Sequence, residues 1–192
     1  AAGGGSPLDA AKGIGMLLTN GCKVTDYEKT APEKESLPII AIPTTAGTGS
    51  EATRYSVITD TDRNIKMLLS TDGIIPKAAI LDFAITKSLP SFMTAATGMD
   101  ALTHAIESYI NVNASPMTKM YSLEAIRLIS KSLIPAVLDG RNEQAREDML
   151  LAALYAGIAI CSAPTALVHS MSRPLGAWFH IPHGLANAML LS

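Results

Sequence analysis

Apolar positions change their rhythm along this chain. Up to Pro90 they come in short runs, Leu37 to Ile42, Tyr55 to Thr59, Ile65 to Leu69 and Ala78 to Leu81, separated by glycine- and proline-rich turns. Runs of that length between such turns predict β-strands. Beyond Pro90 the pattern lengthens into alanine- and leucine-rich segments that predict helices at about Phe92 to Ile110, Pro116 to Leu138 and Glu143 to Ser162. Pro116 suits the first turn of its helix, and Asp139-Gly140 supplies a stop. An α/β part, residues 1–90, is therefore expected to precede an all-α part, residues 91–192, with no internal repeat or low-complexity tract.

One segment tests that division. Met149 to Val168 carries no formal charge, which raises the question of a membrane span. Gly157, Ser162, Pro164 and Thr165 interrupt it and charges crowd its start at Arg146-Glu-Asp148, so a buried helix running into a turn is the expectation, with no membrane partner. The first residues are glycine-rich, with no basic segment followed by an apolar one, so no secretory signal is expected there.

Composition narrows the partners. Fifteen Lys and Arg against 17 Asp and Glu give a net charge of -2 without a basic stripe, which argues against nucleic acid. Cys22 and Cys161 are too few and too separated for a disulfide scaffold, so a reducing, cytoplasmic location is the default expectation.

Two glycine-rich segments are suited to holding phosphates. Gly3-Gly-Gly-Ser6 stands immediately before Pro7-Leu-Asp-Ala-Ala-Lys12, a favourable helix start whose free N-H groups could face a pyrophosphate. Pro43-Thr-Thr-Ala-Gly-Thr-Gly-Ser-Glu51 follows a strand-like run, and its hydroxyls and glycines suit close approach to a polar ligand. Neither is a Walker loop, since no Gly-Lys-Ser/Thr follows. Gly47-Thr-Gly-Ser-Glu-Ala52 does match the loose Gly-x-Gly-x-x-Gly/Ala pattern, with Asp72 at roughly the distance of a ribose-binding acid. Taken alone, such clusters are ordinary turns.

Donor chemistry supplies the second clue. Asp100 and His104, four residues apart, share one helical face, and with His169 and His183 they make a carboxylate and three imidazoles suited to a divalent transition metal. An isolated Asp-x-x-x-His pair would be a helix-surface hydrogen bond or ion pair. Pro174 and Pro182 interrupt the segment between His169 and His183, so those two are expected to converge only through tertiary folding.

Four ordered blocks, Gly3-Gly-Gly-Ser-Pro-Leu-Asp-Ala-Ala-Lys12, Pro43-Thr-Thr-Ala-Gly-Thr-Gly-Ser-Glu51, Gly98-Met-Asp-Ala-Leu-Thr-His-Ala-Ile-Glu107 and Ile181-Pro-His-Gly-Leu-Ala-Asn-Ala188, resemble the iron-containing, or group III, alcohol dehydrogenases. The resemblance implies a dinucleotide-binding α/β domain followed by a helical metal domain, the dehydroquinate-synthase-like architecture, and hydride transfer between NAD or NADP and an alcohol, aldehyde or ketone. It implies Fe2+, Zn2+ or another divalent ion on Asp100, His104, His169 and His183. It places Gly4, Gly5 and Ser6 against the cofactor pyrophosphate with Asp9 nearby. Thr44, Thr45 and Thr48 would line the cofactor pocket, and Lys66 would contact the cofactor, against the plainer reading of a solvated lysine at a strand edge.

Three further residues are candidates around the site, His180 and Arg173 for the substrate pocket and Glu107 behind the ligands. His180 could shape that pocket or relay a proton, or be simply packed or solvent-linked. Glu107, on the face of His104, is either an acceptor behind a metal ligand or a helix charge. Arg173 stands where many family members place a histidine. A guanidinium stays charged and cannot shuttle protons, so Arg173 is expected to favour an anionic aldehyde, or else to form a structural salt bridge.

The family has an α/β segment before the first loop and further helices after the last block, so truncation at both ends is expected, with a homo-oligomer for the complete chain. A parallel sheet short of strands has open edges, and 48% hydrophobic residues with a mean hydropathy of +0.26 make exposed apolar faces the corollary. The alternative readings are a catalytically silent metal-binding or assembly fragment, and a related glycerol dehydrogenase.

Overall fold

The computed structural model describes residues 1–63, 65–179 and 181–191, and the chain divides into two compact units. The first comprises Ala1–Pro43 with Ser50–Ile80, the second Thr44–Gly49 with Leu81–Ser192. The division thus falls ten residues before Pro90, and the threonine-rich loop goes with the helices because Ala46 packs against their core.

The first unit is an α/β layer. Strands β1 (Ala2–Gly3), β2 (Ile40–Pro43) and β5 (Ala78–Ala79) form a parallel sheet in the order β1-β2-β5. Gly3 pairs with Pro43 and Ile40 with Ala78. Helix α1 (Gly5–Asn20) makes the crossover from β1 to β2, as parallel pairing requires. Its buried Leu8, Lys12 and Met16 are spaced by four and so form one stripe. Met16 packs with Met67, Leu69 and Ile74, the first two from the antiparallel hairpin β3 (Tyr55–Asp60) and β4 (Ile65–Ser70). The run Leu37 to Ile42 contributes strand only from Ile40, since two-residue neighbours leave little ladder to extend it.

The second unit is helical: α2 (Ser91–Ile110), α3 (Pro116–Leu138), α4 (Glu143–Ser162), α5 (Leu167–Phe179) and α6 (His183–Leu190). Ser115 caps α3 through the Thr118 N-H and Asn142 caps α4 through the Ala145 N-H, which is why those two starts were legible. Ala101, Ala105, Ala125, Ala145, Ala152, Ala153 and Ala156 dominate the core, around Leu128, Ile129 and Met149. Small side chains let the α2, α3 and α4 axes approach closely, and many atoms then share the dispersion contacts.

Two expectations are corrected. Pro174 does not interrupt the chain, because α5 runs through it, and only Pro182, at the start of α6, marks a boundary. The Gly47-x-Gly-x-x-Ala52 pattern opens no α-helix: a single 3-10 turn at Ser50–Ala52 follows it and leads into β3, so it lacks the strand-turn-helix context of a dinucleotide fingerprint. Asp72 is exposed and paired with Arg54 at 3.2 Å. Among the described residues no single helix is long and apolar enough to cross a membrane, and α4 and α5 meet at a bend of 108°.

Candidate metal centre

Three helices of the second unit deliver the donors. On α2, Asp100 and His104 face inward one turn apart, with His104 Nε2 3.8 Å from Asp100 Oδ1. From α5, His169 Nε2 comes within 3.3 Å of the same oxygen, and from the first position of α6, His183 Nε2 within 3.6 Å. Asp100, His169 and His183 offer donor atoms that all lie within 4.8 Å of one another. His104 stands outside that mutually close set, with its ring stacked on His169 at a centroid separation of 4.5 Å. Asp100, His104 and His169 are buried, whereas His183 is about one-third exposed, so the cluster is closed on the protein side and accessible at one imidazole.

Gly184 makes this approach sterically possible. A Cβ on Gly184 would overlap the carbonyl oxygen of Ala96 on α2, so only glycine lets α6 come close enough to present His183. Gly49 has an analogous role in the loop: its φ is +62°, and a Cβ there would lie 2.6 Å from the Gly157 Cα on α4.

The electrostatics favour a cation. Burial works to raise the Asp100 carboxyl, but His104, His169 and His183 outweigh it and hold the group well below the usual carboxylate range. Burial pushes His104 down to about 4, against the pull of Asp100, leaving a neutral imidazole with a lone pair at neutral pH. Its Nδ1 is buried with no hydrogen-bond partner in bonding geometry, although the adjacent Gly47 backbone favours its protonated form. Burial also opposes the charge on His169, yet bonding to Asp100 and Glu107 raises its pKa overall. One buried carboxylate facing imidazole nitrogens is a donor set that fits a divalent transition metal.

Glu107 resolves the choice between helix charge and acceptor in favour of the acceptor. Its Oε2 contacts His169 Nδ1 at 2.5 Å, while Oε1 accepts from the backbone N-H groups of Val168 and His169 at 2.7 and 3.4 Å. One carboxylate therefore satisfies free N-H groups in the first turn of α5 and orients the ring that α5 carries. Burial works to raise the Glu107 carboxyl, and these bonds lower it. Asn187, on α6, passed unremarked in the sequence. Fully buried, it directs Nδ2 to Asp100 Oδ1 at 2.7 Å and toward His169 Nε2 and His183 Nε2 at 3.2 and 3.4 Å. The signal available was its spacing of four from His183, the same spacing that links Asp100 to His104.

The remaining candidates are less concentrated. Gly4 is the N-cap of α1, with Gly5 and Ser6 opening the helix and no side chain capping it, so first-turn N-H groups stay available to an anion. Asp9 is committed internally: Ser50 Oγ donates to Oδ1 at 2.5 Å and the Val57 N-H to Oδ2 at 2.9 Å. Burial raises its pKa despite Lys12 and these bonds. Thr44, Thr45 and Thr48 are partly buried in the loop of the second unit, and Lys66 is exposed on β4 opposite Thr59. Arg173 is exposed one turn beyond His169 on α5 and pairs with no carboxylate among the described residues. His180 lies outside the described residues.

Residues 1–83 match the model of the iron-containing alcohol dehydrogenases, and residues 94–192 that of the C-terminal part of the Fe-containing alcohol dehydrogenase family. The chain is 51% identical over 190 residues to the Escherichia coli protein named "Probable alcohol dehydrogenase EutG", covering 98% of this chain and 48% of that one. Among solved structures, a 1,3-propanediol oxidoreductase superposes with a TM-score of 0.94 at 44% identity, over 99% of this chain and 50% of the other. Sulfoacetaldehyde reductase from Bifidobacterium kashiwanohense, solved in complex with NAD+, superposes with a TM-score of 0.95 at 39% identity, over 100% and 51%. The chain thus spans about half the length of the relatives it matches. With both family models matched in order and a relative 51% identical over nearly the whole chain, this chain belongs to the iron-containing alcohol dehydrogenase family.

Proposed function

We propose that this chain carries the metal centre of an oxidoreductase that moves a hydride between a nicotinamide cofactor and a small alcohol or aldehyde. The observation that carries this reading is the convergence of Asp100, His169 and His183 donors within 4.8 Å, backed by Glu107. Asp100, His104, His169 and His183 would hold the ion, Fe2+ by family and Zn2+ by the same donor chemistry. A divalent ion bound there supplies Lewis-acid stabilisation of the charge that develops on an alcohol oxygen as the alcohol is oxidised, or polarises a carbonyl in the reverse direction. Glu107 keeps the proton of His169 on Nδ1, so that Nε2 faces the centre with its lone pair. His183, the accessible ligand, marks the side from which substrate approaches.

For the cofactor, NAD or NADP, the reading assigns Gly4, Gly5 and Ser6 to the pyrophosphate through the N-H groups that open α1. Asp9 serves them at one remove, fastening α1 to Ser50 and Val57. Thr44, Thr45, Thr48 and Lys66 are assigned to the rest of the cofactor. The family neighbour solved with NAD+ supports that class of ligand. Residues Arg173 and His180 are assigned to the substrate side. An exposed guanidinium one turn from a metal ligand suits a substrate with a carboxylate or sulfonate, and one structural neighbour is named for sulfoacetaldehyde, whose sulfonate is such a group. Arg173→His should then lower kcat/KM for acidic aldehydes more than for neutral ones, and equal losses would remove the assignment.

The direct test measures bound metal on the purified chain, then NADH and NADPH binding, then aldehyde-dependent oxidation of the reduced cofactor. All three together support the reading, and absence of bound metal under saturating Fe2+ or Zn2+ defeats it. Because every donor lies in the second unit, metal binding without nucleotide binding is a distinct result, and it would favour a metal-binding fragment that is catalytically silent.

A further inference from the structure

We propose that Asn187 is a positioning residue of this centre: its amide holds Asp100, His169 and His183 aimed at one point before metal arrives, and keeps Asp100 oriented afterwards. The inference rests on the metal reading above and adds a group that the four-ligand set does not contain.

Nδ2 of Asn187 has two N-H donors, and around it at 2.7, 3.2 and 3.4 Å lie Asp100 Oδ1 and the Nε2 atoms of His169 and His183, which accept in the tautomers that carry the proton on Nδ1. Asp100 Oδ1, the charged and nearest acceptor, takes one N-H. The other is left to His169 Nε2 and His183 Nε2. In its neutral form His169 has its proton on Nδ1, facing Glu107, so its Nε2 lone pair is the one that both Asn187 and a metal would use. Glu107 and Asn187 therefore grip the same ring from its two nitrogens.

Orientation of the amide is not arbitrary. Turning it over would set Oδ1 against the carboxylate oxygen of Asp100, acceptor on acceptor. As placed, Oδ1 is buried with no hydrogen-bond partner among the described residues. Native interiors seldom leave such a group unpaired, and here the unpaired oxygen is what allows Nδ2 to face the ligands. The backbone supports this arrangement: Asn187 follows His183 by one turn of α6, and Gly184 between them permits the close approach of α6 to Ala96.

Metal and amide then divide the acceptors by their lone pairs. Each imidazole nitrogen has one, so the contacts from Asn187 to His169 and His183 give way when those nitrogens ligate. A carboxylate oxygen has a second lone pair, so the bond to Asp100 persists and restrains the carboxylate. Groups that orient ligands in this way typically account for about 10- to 100-fold in metal affinity.

The test uses the full chain and Co2+ alone as probe, with the affinity taken from competition and the coordination from the visible d-d absorption of the ion. Asn187→Ala should weaken Co2+ binding by about 10- to 100-fold and shift the band. Asn187→Asp keeps the shape but replaces the donors with a second anion beside Asp100. Its metal-free chain should melt below that of Asn187→Ala, and Co2+ should raise its melting temperature by more than it raises that of the wild type. If Asn187→Ala does not fold, Asn187→Ser, which retains one donor, takes its place and should show the same loss in smaller measure. Wild-type affinity and an unshifted band in the variants overturn the positioning role while leaving the metal reading intact. A wild-type chain that binds no Co2+ removes the metal reading itself, and the role of Asn187 with it.

Discussion

Each unit of this protein buries a knot of charged side chains, and the two knots differ in how their donors and acceptors are used. In the first unit Lys12, fully buried, gives its ammonium to Thr53 O, Thr53 Oγ1 and Tyr55 O at 2.9, 3.1 and 2.7 Å, with Asp9 at 3.8 Å. Asp9 in turn accepts from Ser50 and Val57. Donors and acceptors there match within the unit, and the result is a fastening that ties α1 to the 50–57 segment. In the second unit Asp100 Oδ1 and the Nε2 atoms of three imidazoles crowd together, with the Asn187 amide donating to Asp100. A satisfied network makes scaffold, whereas an excess of convergent lone pairs calls for a cation.

The strongest way to break that contrast is to cut the scaffold knot. Lys12→Met preserves much of the volume but leaves two backbone carbonyls and the Asp9 carboxylate without their cation. Removing one member of such a buried set costs about 3–5 kcal/mol, readable as a lower midpoint in urea denaturation. Metal affinity, measured on the folded fraction, should stay at the wild-type value, because no donor of the second unit depends on Lys12. A loss of metal affinity equal to that of a ligand substitution would show that the two knots are one system.

The difference between the knots also explains what could be read from the sequence. Asp100 and His104 were legible because helical spacing is local, and α3 and α4 because Ser115, Pro116 and Asn142 announce their starts. The internal use of Asp9 was not legible, since it depends on Ser50 and Val57, forty-one and forty-eight residues away. Helix α5 was obscured by Pro174. It survives there with its first-turn N-H groups held by Glu107 and its body packed on α6, contacts that no propensity expresses. Strand β1, of two residues, is too short to leave a pattern, whereas the run Ala78 to Leu81 was legible and forms strand at Ala78–Ala79. Asn187 obeyed the same spacing rule as His104 but is not a usual ligand, so donor chemistry alone passed over it.

Glu51, also in the first unit, departs from that self-satisfaction, and it sharpens the contrast by pH. Burial pushes its carboxyl from 4.5 up to about 7, against a bond from its own backbone N-H and the attraction of Lys12, and its Oε1 has no hydrogen-bond partner among the described residues. A carboxyl whose folded pKa is raised binds more protons in the native state across that window, so stability falls as pH rises from about 4.5 to 7 and stays reduced above it. Glu51→Gln removes this slope. Relative to wild type it should gain on the order of 3 kcal/mol between pH 5 and pH 8, seen as a melting temperature that diverges from wild type toward alkaline pH. Parallel pH profiles for the two proteins would show that Glu51 finds compensation when ionised.

The smallest effect belongs to the second unit and asks whether its acceptors are set by their neighbours. Glu107→Gln retains a carbonyl oxygen for the Val168 and His169 N-H groups, so α5 should keep its start and the fold should lose little. What changes is the partner of His169 Nδ1. A neutral amide no longer enforces the proton on Nδ1, and the Nε2 that should ligate becomes less basic. Loss of such an orienting carboxylate corresponds to about 10- to 100-fold in metal affinity, or roughly 1.4–2.7 kcal/mol. Competition titration with Zn2+ measures it, and the midpoint in urea of the metal-free chain serves as the control. Weaker binding at an unchanged midpoint assigns Glu107 to the centre. A lowered midpoint at unchanged affinity would move it into the scaffold class, alongside Lys12 and Asp9.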